Sequence, residues 1–239
     1  MDQHLNCLRI HKTNEQKDIS QEGLDKMRNE FQKKLKELHI ALIDLGQDCQ
    51  DIIRDTYQAL IKNDLDVVDG IRQKENKINH SEREIENQCI ALLLLQAPVA
   101  KDLRQVSSAL EMITDMERIG DHAYDIADIV KKNNDLSELV EQLPFRDMVK
   151  QTIKMVDDAI QSFVNNDHNL AKQVMDEDDI VDNYFETIYN DLATKGIDRR
   201  SLDLLMIAKY YERIGDHATN IAEWVLYEIT AHQVPIGEK

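Results

Sequence analysis

The sequence predicts an all-α protein of two tandem antiparallel three-helix bundles related by internal duplication. Three observations predict this. Glu117-Arg118-Ile119-Gly120-Asp121-His122-Ala123 recurs letter for letter, 95 residues on, as Glu212-Arg213-Ile214-Gly215-Asp216-His217-Ala218. The likeness continues, with Ile126-Ala127 matching Ile221-Ala222 and Val130 matching Val225. Apolar residues recur at helical spacing in long runs. Only 7 Gly and 3 Pro interrupt 239 residues that are 42% hydrophobic. That length suits one large or two small domains. Whatever a duplicated module does, it does twice.

Residues 1–26 are polar and mixed, without a sustained period, and read as a loose extension. The folded part begins near Met27-Arg28-Asn29. We therefore assign 1–27 as a polar N-terminal extension and 28–132 as the first bundle. From Phe31 a heptad runs through Leu35, Leu38, Leu42, Leu45, Cys49 and Ile52 to Ala59. This long helix needs partner helices along its length. Asn63-Asp64 breaks it.

A second helix carries Val67, Ile71, Ile78, Ile85, Cys89, Leu92 and Leu95. Ala97-Pro98 ends or kinks it. The third helix runs from about Lys101 to Lys132 and carries the first motif. Asn133-Asn134-Asp135 opens a polar linker, 133–144.

The pattern repeats over 145–230, the second bundle. Phe145, Val149, Ile153, Val156, Ile160 and Phe163 make its first helix. Asn166-Asp167 aligns with Asn63-Asp64 at an offset of 103 residues. Leu170, Val174, Val181, Ile188 and Leu192 make the next helix, Lys195-Gly196 turns the chain, and the last helix spans about Ser201 to Thr230. Residues 231–239 form a C-terminal tail. The change of offset from 103 to 95 places eight extra residues between the second and third helices of the first half.

Each motif sits beside a core-facing stripe. Ala109, Met112, Met116, Ile119, Ala123, Ile126 and Val130 follow three-then-four spacing, as do Leu204, Ile207, Tyr211, Ile214, Ala218, Ile221 and Val225. Glu117 and Glu212 interrupt the neighbouring, otherwise apolar strip, with Asp121 and Asp216 one turn on. Like charges at that spacing cost roughly 0.2–0.5 kcal/mol even in water. Partial desolvation raises the cost, and a cation removes it. A glycine beside each Glu costs about 1 kcal/mol relative to alanine in mid-helix. It suggests room for a neighbouring backbone or a bound ion. The alternative is a solvated acidic face, with Arg118 and Arg213 pairing to Asp121 and Asp216.

The 103-residue offset adds a second acidic set. It pairs Glu75 with Asp178 and Asn79 with Asp182. Four oxygen-bearing side chains could then converge in each bundle: Glu75, Asn79, Glu117 and Asp121 in one, and Asp178, Asp182, Glu212 and Asp216 in the other. All-oxygen ligation suits magnesium, manganese or iron, and zinc less well. Asn79 is neutral, so the second site is expected to bind more tightly. His122 and His217 follow the Asp residues by one step of about 100° and face away from the strip. Trp224 is expected in the core or at an interface.

The formal charge of −17 argues against a nucleic-acid partner. It fits cation binding or a basic protein partner. Cys7, Cys49 and Cys89 form no disulfide or zinc pattern. No apolar run reaches transmembrane length. Residues 1–20 lack a signal-peptide core. The chain reads as cytoplasmic.

Gln96-Ala97-Pro98-Val99-Ala100-Lys101-Asp102-Leu103-Arg104, followed by Glu117-Arg118-Ile119-Gly120-Asp121, resembles the PhoU family of phosphate-uptake regulators. The likeness spans about residues 28 to 230. It implies two three-helix bundles with quasi-twofold symmetry. It implies that the acidic motifs bind iron, zinc, magnesium or manganese, as they do in some members, sometimes as multinuclear clusters. It implies a cytoplasmic, often dimeric regulator acting with the phosphate-specific ABC transporter and a phosphate-sensing histidine kinase. Such a regulator represses the starvation response when phosphate is plentiful. The 1–26 extension departs from the family pattern, and Asn79 stands where many members carry an acid.

Two other functions compete. A di-metal carboxylate oxidase would normally use Glu-x-x-His on two helices. Here no Glu precedes a His by three residues. There is also no Gly-rich phosphate cradle and no nucleophilic Ser or Cys motif. The third possibility is a purely structural helical scaffold.

Overall fold

A computed structural model describes residues 2–62, 64–94, 99–133, 136–195 and 198–231, without the side chains of 2–22, 24, 65 and 195. Asn63, Ala97-Pro98, Gly196, the Cys7 side chain and tail residues 232–239 lie outside the described set. The described secondary structure is entirely helical. It comprises α1 (Asp2–Lys62), α2 (Leu65–Leu94), α3 (Ala100–Lys132), α4 (Ser137–Glu141), α5 (Phe145–Asn165), α6 (His168–Lys195) and α7 (Arg199–Thr230). No described helix is long and apolar enough to cross a membrane.

Helices α1, α2 and α3 form one up-down-up bundle, and α5, α6 and α7 the other. Residue pairs fix the directions. Lys77 meets Asp48 and Lys74 meets Asp55, so α2 runs against α1. Lys131 meets Asp69, so α3 runs against α2. Lys154 meets Glu177, so α6 runs against α5.

The two bundles pack through α1 on α5 and α3 on α7, both antiparallel. Gly46 marks the closest approach of α1 and α5. A Cβ there would stand 2.8 Å from the Ile160 side chain. The expected stripes are buried, including Met112, Met116, Ile119, Tyr211, Ile214 and Ile221. Tyr211 keeps its hydroxyl satisfied at Thr56 of α1, 2.8 Å away. Helices α2 and α6 lie on the outer sides of this core, each against its motif helix.

The duplication extends to the helix caps. Asp64 Oδ1 accepts hydrogen bonds from the Asp66 and Val67 amides. Its counterpart Asp167 Oδ1 accepts from Asn169 and Leu170. Both satisfy amides that a helix start leaves unpaired. Asn166 holds φ at 51° as the C-cap of α5, a conformation asparagine tolerates better than most residues.

Two expectations differ from the fold. Of the stretch read as a loose extension, residues 2–26 lie inside α1, which begins at Asp2. The stretch contains no proline and a single glycine, Gly23, so nothing in it breaks a helix once one is seeded. The 133–144 stretch is not simply a polar linker. It contains α4, and Leu136, Val140 and Leu143 are buried against α1 and α5.

Candidate metal centres and the seam between the bundles

Packing of α2 on α3 and of α6 on α7 brings the acidic pairs toward each other. In the second bundle, Asp178 is 5% exposed and the Glu212 side chain 12%. The Asp216 carboxyl is pushed up to about 6 by loss of water, then by Glu212, Asp178 and Asp182. Asp216 is exposed as a residue, so the three carboxylates are the firmer cause. In the first bundle, the Glu117 carboxyl is raised by partial burial, then by Asp121, Glu82 and Glu75, with Arg118 opposing.

The charges are not idle as the chain stands. Lys209 pairs with Glu212 and lies 5.2 Å over the Phe185 ring. Arg118 reaches Asp121 at 2.9 Å and Glu117 at 3.6 Å. Asn79 Nδ2 donates to Glu75 Oε1 at 2.6 Å. Yet each quartet leaves one buried oxygen without a hydrogen-bond partner, Asn79 Oδ1 in the first and Glu212 Oε2 in the second. An orphaned buried acceptor is costly, and a cation would satisfy it. The donor set thus fits a hard cation in chemistry. Its arrangement is not that of a closed cluster: no group of three or more His, Cys, Asp or Glu among the described residues is set to hold a metal.

Glu82 was missed from sequence. It is half-buried, its carboxyl is raised first by burial and then by Glu86, and it acts on Glu117. Its counterpart at the 103-residue offset is Phe185, so the duplication could not reveal it. The available signal was spacing, seven residues after Glu75 and three after Asn79 on one helix face. Glu82 restores the charge that Asn79 lacks, and each site carries one internal cation, Arg118 in the first and Lys209 in the second, so the two formal charges are equal. The expected order of affinity, second site above first, therefore loses its electrostatic basis.

Of the two expectations for the glycines, a close neighbouring backbone is not what lies beside them. A Cβ on Gly120 would stand 3.1 Å from Ile78 Cγ2, and one on Gly215 3.5 Å from Val181 Cγ1. The neighbours are side chains of α2 and α6 rather than backbone, and at Gly215 they include Asp178 Oδ1 at 3.8 Å.

His122 and His217 turn away from the quartets to the α3–α7 seam. The His217 Nδ1 lies 2.8 Å from Asp115 Oδ1, which also accepts from Asn220 Nδ2 at 3.0 Å. At the 95-residue offset Asp115 corresponds to Tyr210 and Asn220 to Asp125. The mirrored neighbours are in place: the Tyr210 and His122 ring centroids are 5.4 Å apart, and burial followed by Asp125 raises the Tyr210 hydroxyl. An approximate twofold axis thus passes between the two histidines.

A model of the PhoU domain matches residues 42–130 and 145–225, one match per bundle. The chain belongs to the PhoU family. A phosphate-specific transport system accessory protein PhoU homolog of Clostridium acetobutylicum is 34% identical, over 87% of this chain and 98% of that one. The crystal structure of PhoU from Pseudomonas aeruginosa superposes with a TM-score of 0.77 at 31% identity, covering 84% of this chain and all of that one. The phosphate transport system regulatory protein PhoU from Streptococcus pneumoniae superposes at 0.78 with 27% identity, covering 86% of this chain and all of that one. These PhoU structures bear out the all-α, two-bundle architecture.

Proposed function

We propose that this chain is a negative regulator of phosphate uptake and of the phosphate-starvation response. It acts in the cytoplasm as an adaptor between the ATPase subunit of the phosphate-specific ABC transporter and a phosphate-sensing histidine kinase. It is a homodimer, reaches the membrane only through those partners, and binds no nucleic acid. It is not an enzyme. Glu75, Asn79, Glu117 and Asp121 hold one divalent or trivalent metal site, and Asp178, Asp182, Glu212 and Asp216 the other. Iron, manganese, magnesium and zinc are the metals in question. Such a metal would supply the positive charge that Arg118 and Lys209 now bring to these carboxylates.

The observation that carries this reading is the duplicated acidic motif, faced in each bundle by a second acidic set in a PhoU-family chain. Two similar lobes on one chain offer two docking faces. Joining two binding events on one chain raises the effective concentration for the second.

A reporter of phosphate-starvation genes in cells grown with excess phosphate tests the assignment. The null strain should express it constitutively, and neither bundle alone should restore repression. Normal repression in the null strain would refute the regulatory role.

A further inference from the structure

A cavity of about 350 Å³ opens between α1 and the start of α3. Arg28, Lys36 and His39 of α1 and Lys101, Asp102 and Gln105 of α3 line it. Asp102 is its only carboxylate, and that carboxylate is already engaged. The Asp102 side chain is 3% exposed. Its Oδ2 accepts from Arg28 Nη1 and from the Val99 amide, and its Oδ1 accepts from Arg28 Nη2 at 3.2 Å. Asp102 thus fixes the Arg28 guanidinium at the cavity. Two donors of that guanidinium are used, and the other N–H groups remain for a second acceptor.

The lysines have no such partner. Lys36 and Lys101 are exposed and form no ion pair among the described residues. Behind Gln105 lies Glu228, 6% exposed, which accepts from Gln105 Nε2 at 3.0 Å. Lys101 and Arg104 both act on Glu228. Arg28, Lys36, Lys101 and Arg104 therefore stand against Asp102 and Glu228, an excess of two positive charges. The chain as a whole carries −17, so the sign reverses locally at this cavity. Salt screens charges beyond about 8 Å at physiological ionic strength. An anion in the cavity meets these cations rather than the distant acids.

The rest of the lining suits the body of a ligand. Leu35 adds an apolar wall, and Gln32 and Gln105 add amides. His39 is set edge-on to Phe163, with ring centroids 4.9 Å apart, and burial holds its imidazole below the usual histidine range. A neutral ring there offers a flat face without a further charge. The volume is that of a small-molecule site, larger than a single tetrahedral anion fills.

We propose that this cavity binds a small organic phosphate, with the phosphoryl group held by Arg28, Lys36 and Lys101 and the organic part against Leu35 and His39. The site rests on neither the adaptor reading nor the acidic quartets.

Calorimetric titration of the full chain tests this with ribose 5-phosphate, ribose, inorganic phosphate and a capped diglutamate peptide. Ribose 5-phosphate should bind saturably and ribose should not. Inorganic phosphate should bind about tenfold more weakly than the ester, since it leaves Leu35 and His39 uncovered. Lys36→Gln combined with Lys101→Gln should weaken ribose 5-phosphate about tenfold while helicity is unchanged. Lys150→Gln combined with Lys172→Gln removes the same charge from the exposed surface of the other bundle and should leave the affinity as it was. Equal losses in the two lysine pairs, or no saturable binding of either phosphate, would overturn the site. Inorganic phosphate binding as tightly as the ester would overturn the organic ligand, and tighter binding of the peptide would overturn the choice of a small molecule. None of these failures would alter the reporter outcome, so the regulatory reading is judged separately.

Discussion

His122 and His217 lie face to face across the α3–α7 seam, with ring centroids 5.4 Å apart. Each directly follows the last acid of its motif. The acidic sites and the bundle interface are therefore adjacent along the same two helices. The His122 Nδ1 is buried and has no hydrogen-bond partner among the described residues.

Burial, then His217 and Arg213, lower the His122 ring to about 4. The unfolded ring protonates near 6.5, so between these values protons favour the unfolded chain. Stability of the metal-free protein should fall by about 2 kcal/mol as pH drops from about 6.5 to about 4. Asp216 works the other way, because its raised carboxyl takes up a proton earlier when folded. Thermal melts of wild type and His122→Gln across that range isolate the histidine. Wild type should lose more stability than the variant, and parallel curves would remove His122 as the cause.

The paired glycines should respond unequally to alanine. Gly215→Ala meets only ordinary contact with Val181 and Asp178, so the gain in helix propensity stands, up to about 1 kcal/mol. Gly120→Ala must displace Ile78 by a few tenths of an ångström, which offsets that gain. Thermal midpoints should therefore rank Gly215→Ala above Gly120→Ala. The reverse order would contradict the packing described for α2 on α3.

The two acidic sites should respond to different residues. Glu82→Gln should weaken the first site about tenfold and leave the second unchanged. Lys209→Met should tighten the second, since it removes the cation competing for Glu212. Manganese titrations of the two variants check both. No effect from Glu82→Gln would confine the first site to the four residues legible in the sequence.

The stripes on α3 and α7 were legible because burial imposes a helical period on residue type. The motif acids were legible because the chain repeats them. Glu82 and Lys209 were not, since each breaks the repeat, and comparing halves finds only what they share. The Asp115–His217 contact joins residues on different helices, whose facing is set by packing rather than local pattern. Leu136, Val140 and Leu143 did carry a four-then-three spacing. Its shortness, inside a polar stretch, hid the α4 helix.

The central chemical claim is that the duplicated acidic motif holds metal. Metal content of protein purified without chelators tests it most directly, in wild type, in Glu117→Ala with Asp121→Ala, and in Glu212→Ala with Asp216→Ala. Removing mutually repelling, partly buried charges should leave the apo fold intact. Each double variant should lose the metal of its own bundle while keeping wild-type helicity. Unchanged metal stoichiometry in both double variants would contradict the account.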